Sequence, residues 1–332
     1  MKKGILLVNL GTPQSLSVKD VRIYLREFLM DPYVINLPYL IRFILVNGII
    51  VPFRAPKSTA AYAKIWTEHG SPLLYHTKNL QKEIQKKLPE DFIVEIGMRY
   101  GNPNIKQAIF NLKNKGAKEI YAIALYPQYA QSSTQTAVDV IKKITKENNI
   151  EVYIEPPFYN KEEYIIAQKK LIENRVKEFN PEHLLLSFHG LPEAHILKLN
   201  PDCRICLATT CTKIDSPVCY RAQCYQTARM LMKDWHNLPY TVAFQSRLGK
   251  TPWIKPYSDA TIINLAKSGV KRLLVSCPAF TADCLETLEE MAIANKELFL
   301  EHGGEDYQLV EALNSSPLWA DAIVNWSKNF FI

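Results

Sequence analysis

Ile5-Leu-Leu-Val-Asn-Leu-Gly-Thr-Pro13 and Leu184-Leu-Leu-Ser-Phe-His-Gly-Leu-Pro192 are two versions of one phrase. In each, a largely apolar run carries a polar residue one or two positions before a glycine, and a proline follows two positions on. An uninterrupted apolar run of this length suits a strand buried on both faces, and Gly with Pro ends it in a turn. The habit extends outward from both copies. Ile5–Val8 is followed by a helical pattern near Val18–Leu29, Phe92–Ile96 by one near Asn104–Lys115, and Ile120–Leu125 by one near Thr134–Glu147. Leu184–Phe188, Thr241–Phe244 and Leu273–Ser276 are strands of the same kind, each with a helix after it. Strands alternating with helices imply an α/β fold, a mostly parallel sheet flanked by helices.

The halves echo each other further. Arg99-Tyr100-Gly101 has its counterpart in Arg247-Leu248-Gly249, and Asn111-Leu112 with Gly116-Ala117-Lys118 in Asn264-Leu265 with Gly269-Val270-Lys271. Their shared order points to two α/β domains of one design. The first is expected over 1–156 and the second over 157–311, with a cysteine-rich insert at 200–225. The segment 312–332 is expected to pack back on the first domain. The boundary falls near Pro156-Pro157, after a strand over Glu151–Ile154. A cleft between two such domains, at the carboxyl ends of the strands, is where a site is expected.

The 332 residues suffice for two cores, and 47% apolar with 22% charged residues is ordinary for a globular chain. The formal net charge of +7 comes from scattered lysines, so nucleic acid is not the expected partner; an anionic substrate or anionic lipid is. No phosphate-cradling glycine motif occurs, and Pro13 stands where a dinucleotide fingerprint would need a flexible residue. The apolar run after Lys3 is too short for a signal peptide, so the expected location is cytoplasmic. Val34–Phe53 approaches membrane-spanning length but is interrupted by Pro38, Arg42 and Asn47. It reads either as a buried helix or as an exposed apolar lip in peripheral contact with a membrane.

Three groups of residues carry chemistry. His189 follows a strand and precedes Gly190, which presents its imidazole at the strand end; a base or a loop-bonded histidine both fit that position. Pro278–Glu290 brings Asp283, Glu286, Glu289 and Glu290 together, and helical spacing would put the three glutamates on one face. Such a row is either a helix start favoured by the dipole or a path for a hard cation. Five of the seven cysteines follow the pattern Cys203-x2-Cys206-x4-Cys211-x7-Cys219-x4-Cys224. In a cytoplasmic chain this suggests a metal, either zinc or an iron–sulfur cluster. Cys277 and Cys284 read as ordinary buried or lining residues.

The blocks LLVNLGTP, YLREFLMDP (Tyr24–Pro32), FRAPKS (Phe53–Ser58), IWTEHGSPLL (Ile65–Leu74), GMRYGNP (Gly97–Pro103), LYPQY (Leu125–Tyr129), LLLSFHGLP, FQSRLGKTPW (Phe244–Trp253) and AFTADCLETLEE resemble, in order and over essentially the whole chain, the ferrochelatases. The pattern is most similar to Gram-negative enzymes acting on protoporphyrin IX. The resemblance implies two similar Rossmann-like domains with the active-site cleft between them, and insertion of Fe²⁺ into protoporphyrin IX at the last step of haem synthesis. It implies His189 as the metallation base and Glu286 as its paired carboxylate, both meeting the substrate iron, with Glu290 extending the acidic route. It places Leu10, Arg54, Lys57, Tyr62, Ser71, Arg99, Tyr126, Trp253 and Phe280 at the porphyrin, with Asn9 and Met98 beside them. Cys284 stands where many relatives carry a second histidine, and Ala294 shortens the acidic ridge. Some relatives hold a [2Fe–2S] cluster in an insert ending like Cys219–Cys224, so Cys206, Cys211, Cys219 and Cys224 are the implied ligands. Cys203 is the substitute, and Zn²⁺ the alternative metal. Animal relatives use a C-terminal tail instead, and Gln131 occupies their upstream ligand position. A peripheral contact with the inner membrane is a further expectation, and a homodimer is left open.

Overall fold

The computed structural model describes residues 2–200, 216–247, 249 and 251–331. Contacts divide the chain into two compact units. Met1–Tyr126, Ala130–Pro157 and Asn314–Ile332 form the first; Pro127–Tyr129 and Phe158–Leu313 form the second.

In chain order the first unit contains β1 (Lys2–Gly11), α1 (Val18–Leu29), α2 (Tyr39–Ile44), a π-helical segment (Leu45–Ile50), α3 (Val51–Ile65), α4 (Pro72–Lys87), β2 (Phe92–Tyr100), α5 (Ile105–Asn114), β3 (Ala117–Ala124), a second π-helical segment (Gln131–Gln135), α6 (Thr136–Glu147) and β4 (Glu151–Ile154). The strands form one parallel sheet in the order β2-β1-β3-β4. β1 is its centre because Ile5–Val8 have nothing polar to show either face, and all four are fully buried. Each contributes roughly 1.5–3 kcal/mol of apolar burial. One face is covered by Ile105, Ile109 and Leu112 of α5 with Ile141 of α6, the other by Val21, Tyr24, Leu25 and Leu29 of α1. Ser17 and Asn104 start α1 and α5 by accepting the backbone N–H of Asp20 and Gln107.

The second unit contains α7 (Glu162–Phe179), β5 (His183–His189), α8 (Glu193–Leu199), α9 (Tyr220–Met232), β6 (Tyr240–Gln245), α10 (Ser258–Lys267), β7 (Arg272–Ser276), a third π-helical segment (Glu286–Ala294), α11 (Asn295–Glu301) and β8 (Asp306–Leu309). Its parallel sheet runs β6-β5-β7-β8, the same order as the first. The last helix, α12 (Pro317–Phe330), belongs to the first unit. There Asp321 pairs with Lys87 at 2.5 Å, and the Phe330 ring stacks on Tyr121 and Tyr153.

Three local expectations change. α9 begins at Tyr220, inside the insert expected at 200–225, and its first residues through Cys224 are all buried, so no polar face marks the start. Glu286–Ala294 winds as a π-helix rather than an α-helix. Its buried residues Thr287 and Met291 are four apart, Asn295 at the start of α11 continues the stripe, and Glu286 with Glu290 repeats at the same interval. Around Val34–Phe53, Pro38 bounds the helix as its N-cap, but Arg42 and Asn47 do not break it. Tyr39–Ile65 is one helical run of 27 residues, long and apolar enough to cross a membrane by length and composition. Arg42 turns inward, buried, with Nη1 donating to the carbonyls of Ile35 and Leu37. Tyr39, Leu40, Ile41, Phe43, Ile44, Ile49 and Phe53 face outward, Leu40 at 67% and Phe53 at 72% exposure.

Candidate active site

His189 ends β5 half-buried, opposite Gln245 of β6. Its Nδ1 lies 2.6 Å from the carbonyl oxygen of Gly190. A carbonyl can only accept, so Nδ1 carries a proton, and in the neutral form of the ring the lone pair lies on Nε2. The backbone is held too. The carbonyl of His189 accepts from the Tyr220 hydroxyl at 2.7 Å, and Gly190 N–H donates to the Gln245 carbonyl at 2.8 Å. A Cβ on Gly190 would stand 2.7 Å from that carbonyl oxygen, which explains the glycine. The Phe280 ring lies 6.1 Å from the imidazole, and Trp253 is buried against Gly190.

Glu286, Glu289 and Glu290 sit on the π-helical segment, and Asp283 precedes it. Gln245 is buried, and its Nε2 donates to the carbonyl of Glu286 at 3.1 Å while its Oε1 accepts from Ser187 at 2.8 Å. One side chain thus ties β5, β6 and the start of the segment together. Glu290 accepts both the N–H and the hydroxyl of Ser246, at 2.7 and 2.5 Å, and Ser246 takes a left-handed φ of 66° to supply them. Burial raises the Glu290 carboxyl above its ordinary range; the two Ser246 bonds and the nearby His189 oppose the shift, and Glu286 adds to it. His189, Glu286 and Glu290 therefore share one electrostatic neighbourhood. Asn295 holds the carbonyl of Glu290 at 2.8 Å. Among the described residues no three His, Cys, Asp or Glu side chains are grouped as metal ligands.

The remaining candidates lie in the first unit. Leu10 is half-buried against both of its core clusters. Asn9 is buried, its Nδ2 donating to Thr77 at 3.1 Å, and Met98 is fully buried. On α3, Arg54 is half-buried, Lys57 exposed and Tyr62 buried, and burial lowers the Arg54 pKa. Ser71 precedes α4, buried, and accepts from the Thr12 hydroxyl at 2.8 Å. Arg99 pairs with Asp31 at 2.5 Å. Tyr126 is buried, and its hydroxyl has no partner among the described residues. A cavity of about 410 Å³ in the second unit opens elsewhere, on the stripe Leu288, Ala292 and Lys296 with Arg175 and Asp283.

Sequence reading missed Asp31, Thr136, Gln245, Ser246 and Tyr220, which touch the candidate residues. Only Gln245 and Ser246 carried a signal, by standing just after a strand.

Of the five clustered cysteines, Cys203, Cys206 and Cys211 lie outside the described residues. Cys219 and Cys224 flank the first turn of α9, both buried. Burial pushes the Cys224 thiol well above its ordinary pKa, and Cys219 adds to the shift, so the two sulfurs are electrostatic neighbours. Two adjacent thiols shielded from water suit a thiophilic metal, which would take them as thiolates. Cys277 and Cys284 are likewise buried.

Comparison with known proteins shows what the chain is similar to. A family model described as Ferrochelatase matches residues 2–329. The chain is 46% identical over 331 residues to a protein named Ferrochelatase from Legionella pneumophila, covering 97% of this chain and 98% of that one. It is 42% identical over 332 residues to a Ferrochelatase from Coxiella burnetii, covering 98% and 93%. Among solved structures, the sirohydrochlorin chelatase SirB from Bacillus subtilis in complex with cobalt aligns with a TM-score of 0.57 at 11% identity, over 99% of this chain and 95% of that one. At that identity the likeness speaks for the fold.

Proposed function

This chain belongs to the ferrochelatase family, and we propose that it inserts Fe²⁺ into protoporphyrin IX to form haem, releasing two protons. The observation that carries the reading is the bond of His189 Nδ1 to the Gly190 carbonyl, which leaves Nε2 to act as a base, with Glu290 an electrostatic neighbour of both His189 and Glu286. Metallation removes two pyrrole protons from a flat macrocycle. His189 Nε2 takes a proton as general base, and the carboxylate of Glu286 stabilises the imidazolium that results. Glu290, held by Ser246, continues the acidic route for Fe²⁺ or protons. Leu10, Tyr62, Tyr126, Trp253 and Phe280 supply apolar and aromatic surface for the ring. Arg54, Lys57, Ser71 and Arg99 supply donors for its polar edge. The test is an insertion assay on purified protein with protoporphyrin IX and ferrous iron, followed by the haem absorption spectrum. No haem formed under reducing conditions overturns the reading, as does insertion confined to another tetrapyrrole or metal.

The cysteine-rich segment is proposed to hold one [2Fe–2S] cluster through Cys206, Cys211, Cys219 and Cys224, with Cys203 as substitute. Supporting this are the spacing and the buried pair Cys219 and Cys224. The group would cross-link the segment to α9, since metallation needs no net redox change. Protein purified without air should show the cluster's visible absorption and two irons per chain; colourless protein with stoichiometric zinc selects Zn²⁺ on the same thiolates.

The protein is further proposed to be cytoplasmic, with the outward apolar face of Tyr39–Phe53 resting reversibly on the inner membrane. The exposed side chains named above and the inward turn of Arg42 support this. Extraction by detergent alone, never by salt or carbonate, would contradict peripheral attachment. Sedimentation separates the monomer from the homodimer.

A further inference from the structure

We propose that Asp31 is a positioning residue for Arg99, fixing which N–H groups that guanidinium offers to the porphyrin. The inference rests on the reading above that Arg99 contacts the substrate.

Asp31 stands just after α1, its side chain 2% exposed. Its Oδ1 accepts the Tyr33 N–H at 2.8 Å, which fastens the carboxylate to its own loop. Its Oδ2 collects three donors from two other elements: Arg99 Nη2 at 2.5 Å, the Thr136 hydroxyl at 2.5 Å and the Tyr100 hydroxyl at 2.9 Å. Thr136, buried at the start of α6, also accepts from Arg99 Nε at 2.7 Å. The bonds close a ring, in which Arg99 donates to Thr136, Thr136 to Asp31, and Arg99 again to Asp31.

The ring leaves the guanidinium little freedom. Its Nε–Nη2 edge is taken by Thr136 and Asp31, and the Tyr100 ring lies 4.5 Å from Cζ. Nη1 and the second hydrogen of Nη2 are the donors left over. The Arg99 side chain is 18% exposed, so part of it remains within reach of a ligand. Close by, within the field of Arg99, lies the Tyr126 hydroxyl, buried and without a partner among the described residues. A buried hydroxyl without a partner costs stability unless a ligand or water completes it. Together, a locked guanidinium edge and an uncommitted phenol describe a surface prepared for a polar ligand atom. An ion pair serving the fold alone would need neither feature. A flexible arginine would also sacrifice more entropy on binding than one already held, which is how a residue without substrate contact alters affinity.

The test is a double-mutant cycle on the full chain with Asp31→Asn, Arg99→Met and both together. Protoporphyrin IX binding is read by fluorescence titration, and kcat and KM for insertion are measured in parallel. Either single change should weaken porphyrin binding about tenfold, and the double variant should be no weaker than Arg99→Met alone, because Asp31 acts only through Arg99. Losses that multiply overturn the proposal, as does Asp31→Asn binding like the parent. Should Asp31→Asn fail to fold, Thr136→Val removes one donor to Asp31 and the acceptor of Nε while keeping the ion pair. It should weaken binding about threefold, and parental affinity would count against the proposal. A parent that binds porphyrin but inserts no iron refutes the proposed function, while the binding cycle still reads Asp31. A parent that inserts iron and is indifferent to Arg99→Met refutes the positioning role and leaves the function standing.

Discussion

The turn after β1 and the turn after β5 are built alike and do different things. Each ends the central strand of a four-stranded parallel sheet with the same strand order. Each needs a glycine because the neighbouring strand's backbone is too close for a side chain: a Cβ on Gly11 would stand 1.7 Å from the Tyr100 oxygen, and one on Gly190 2.7 Å from the Gln245 oxygen. The polar residues differ in place and in character, Asn9 standing two positions before its glycine and His189 one. Asn9 is neutral, buried and satisfied, with Nδ2 on Thr77 and Oδ1 accepting the Leu10 N–H. His189 is half-buried, with Nδ1 committed to the Gly190 carbonyl. The surroundings diverge in step. The first unit places a fixed cation, Arg99, locked by Asp31, whereas the second places Glu286 and Glu290 on a π-helix pinned by Gln245, Ser246 and Asn295. One backbone device is thus reused with different side chains: counted back from the glycine, Leu10 stands where the second copy has His189, and Asn9 where it has Phe188.

The sharpest way to break that contrast is His189→Ala set against Asn9→Ala. Removing the base should lower kcat by about 10³-fold or more with the melting temperature retained, whereas Asn9→Ala should cost less than about tenfold, through local packing. Comparable losses would erase the distinction. Glu286→Gln comes next, with an expected loss of about 10²-fold in kcat at unchanged porphyrin affinity, because the imidazolium loses its counter-charge. An effect confined to porphyrin affinity would assign that carboxylate to binding. Gln245→Met should lose about tenfold in kcat and speed amide exchange over Glu286–Ala294, since the Glu286 carbonyl loses its donor. Exchange rising equally across the whole second sheet would show a fold-wide role instead.

The smallest effect concerns pH and the far end of β5. His183, bonded through Nε2 to Thr241 at 2.9 Å, has its pKa lowered from 6.5 by burial. The fold therefore prefers the neutral ring. Stability from this group is fully present above pH 6.5 and is lost as pH falls through the lower folded value. Melting temperature should decline on acidification below neutrality, and His183→Gln should flatten that decline; an unchanged slope would show that other groups govern it.

Much of the architecture was legible because it is local. Ile5–Val8 and Leu184–Leu186 read as buried strands from their unbroken apolar character, and the glycine of each repeated phrase stands where the chain turns against its neighbour. The α9 boundary was not legible, because Tyr220–Cys224 is buried all round and shows no helical face. Nor was the π-helical winding of Glu286–Ala294, since the i, i+4 recurrence of Thr287, Met291 and Asn295 is shared with an α-helix. Arg42 misled in the other direction: a charge within an apolar stretch reads as an interruption until its partners are known.

By itself the sequence determined the alternation of strand and helix, the duplicated phrase, the family and the residue types available for chemistry. Each of these follows from short-range periodicity or from the order of motifs along the chain. Only the tertiary structure decided that Asp31 meets Arg99 and Thr136, that Ser246 clamps Glu290, and that Gln245 spans from the turn after β5 to the carbonyl of Glu286. Those meetings join residues far apart in the chain. They depend on strand order and register, where a shift of one residue turns every side chain to the other face, and no local pattern records which face its partner occupies.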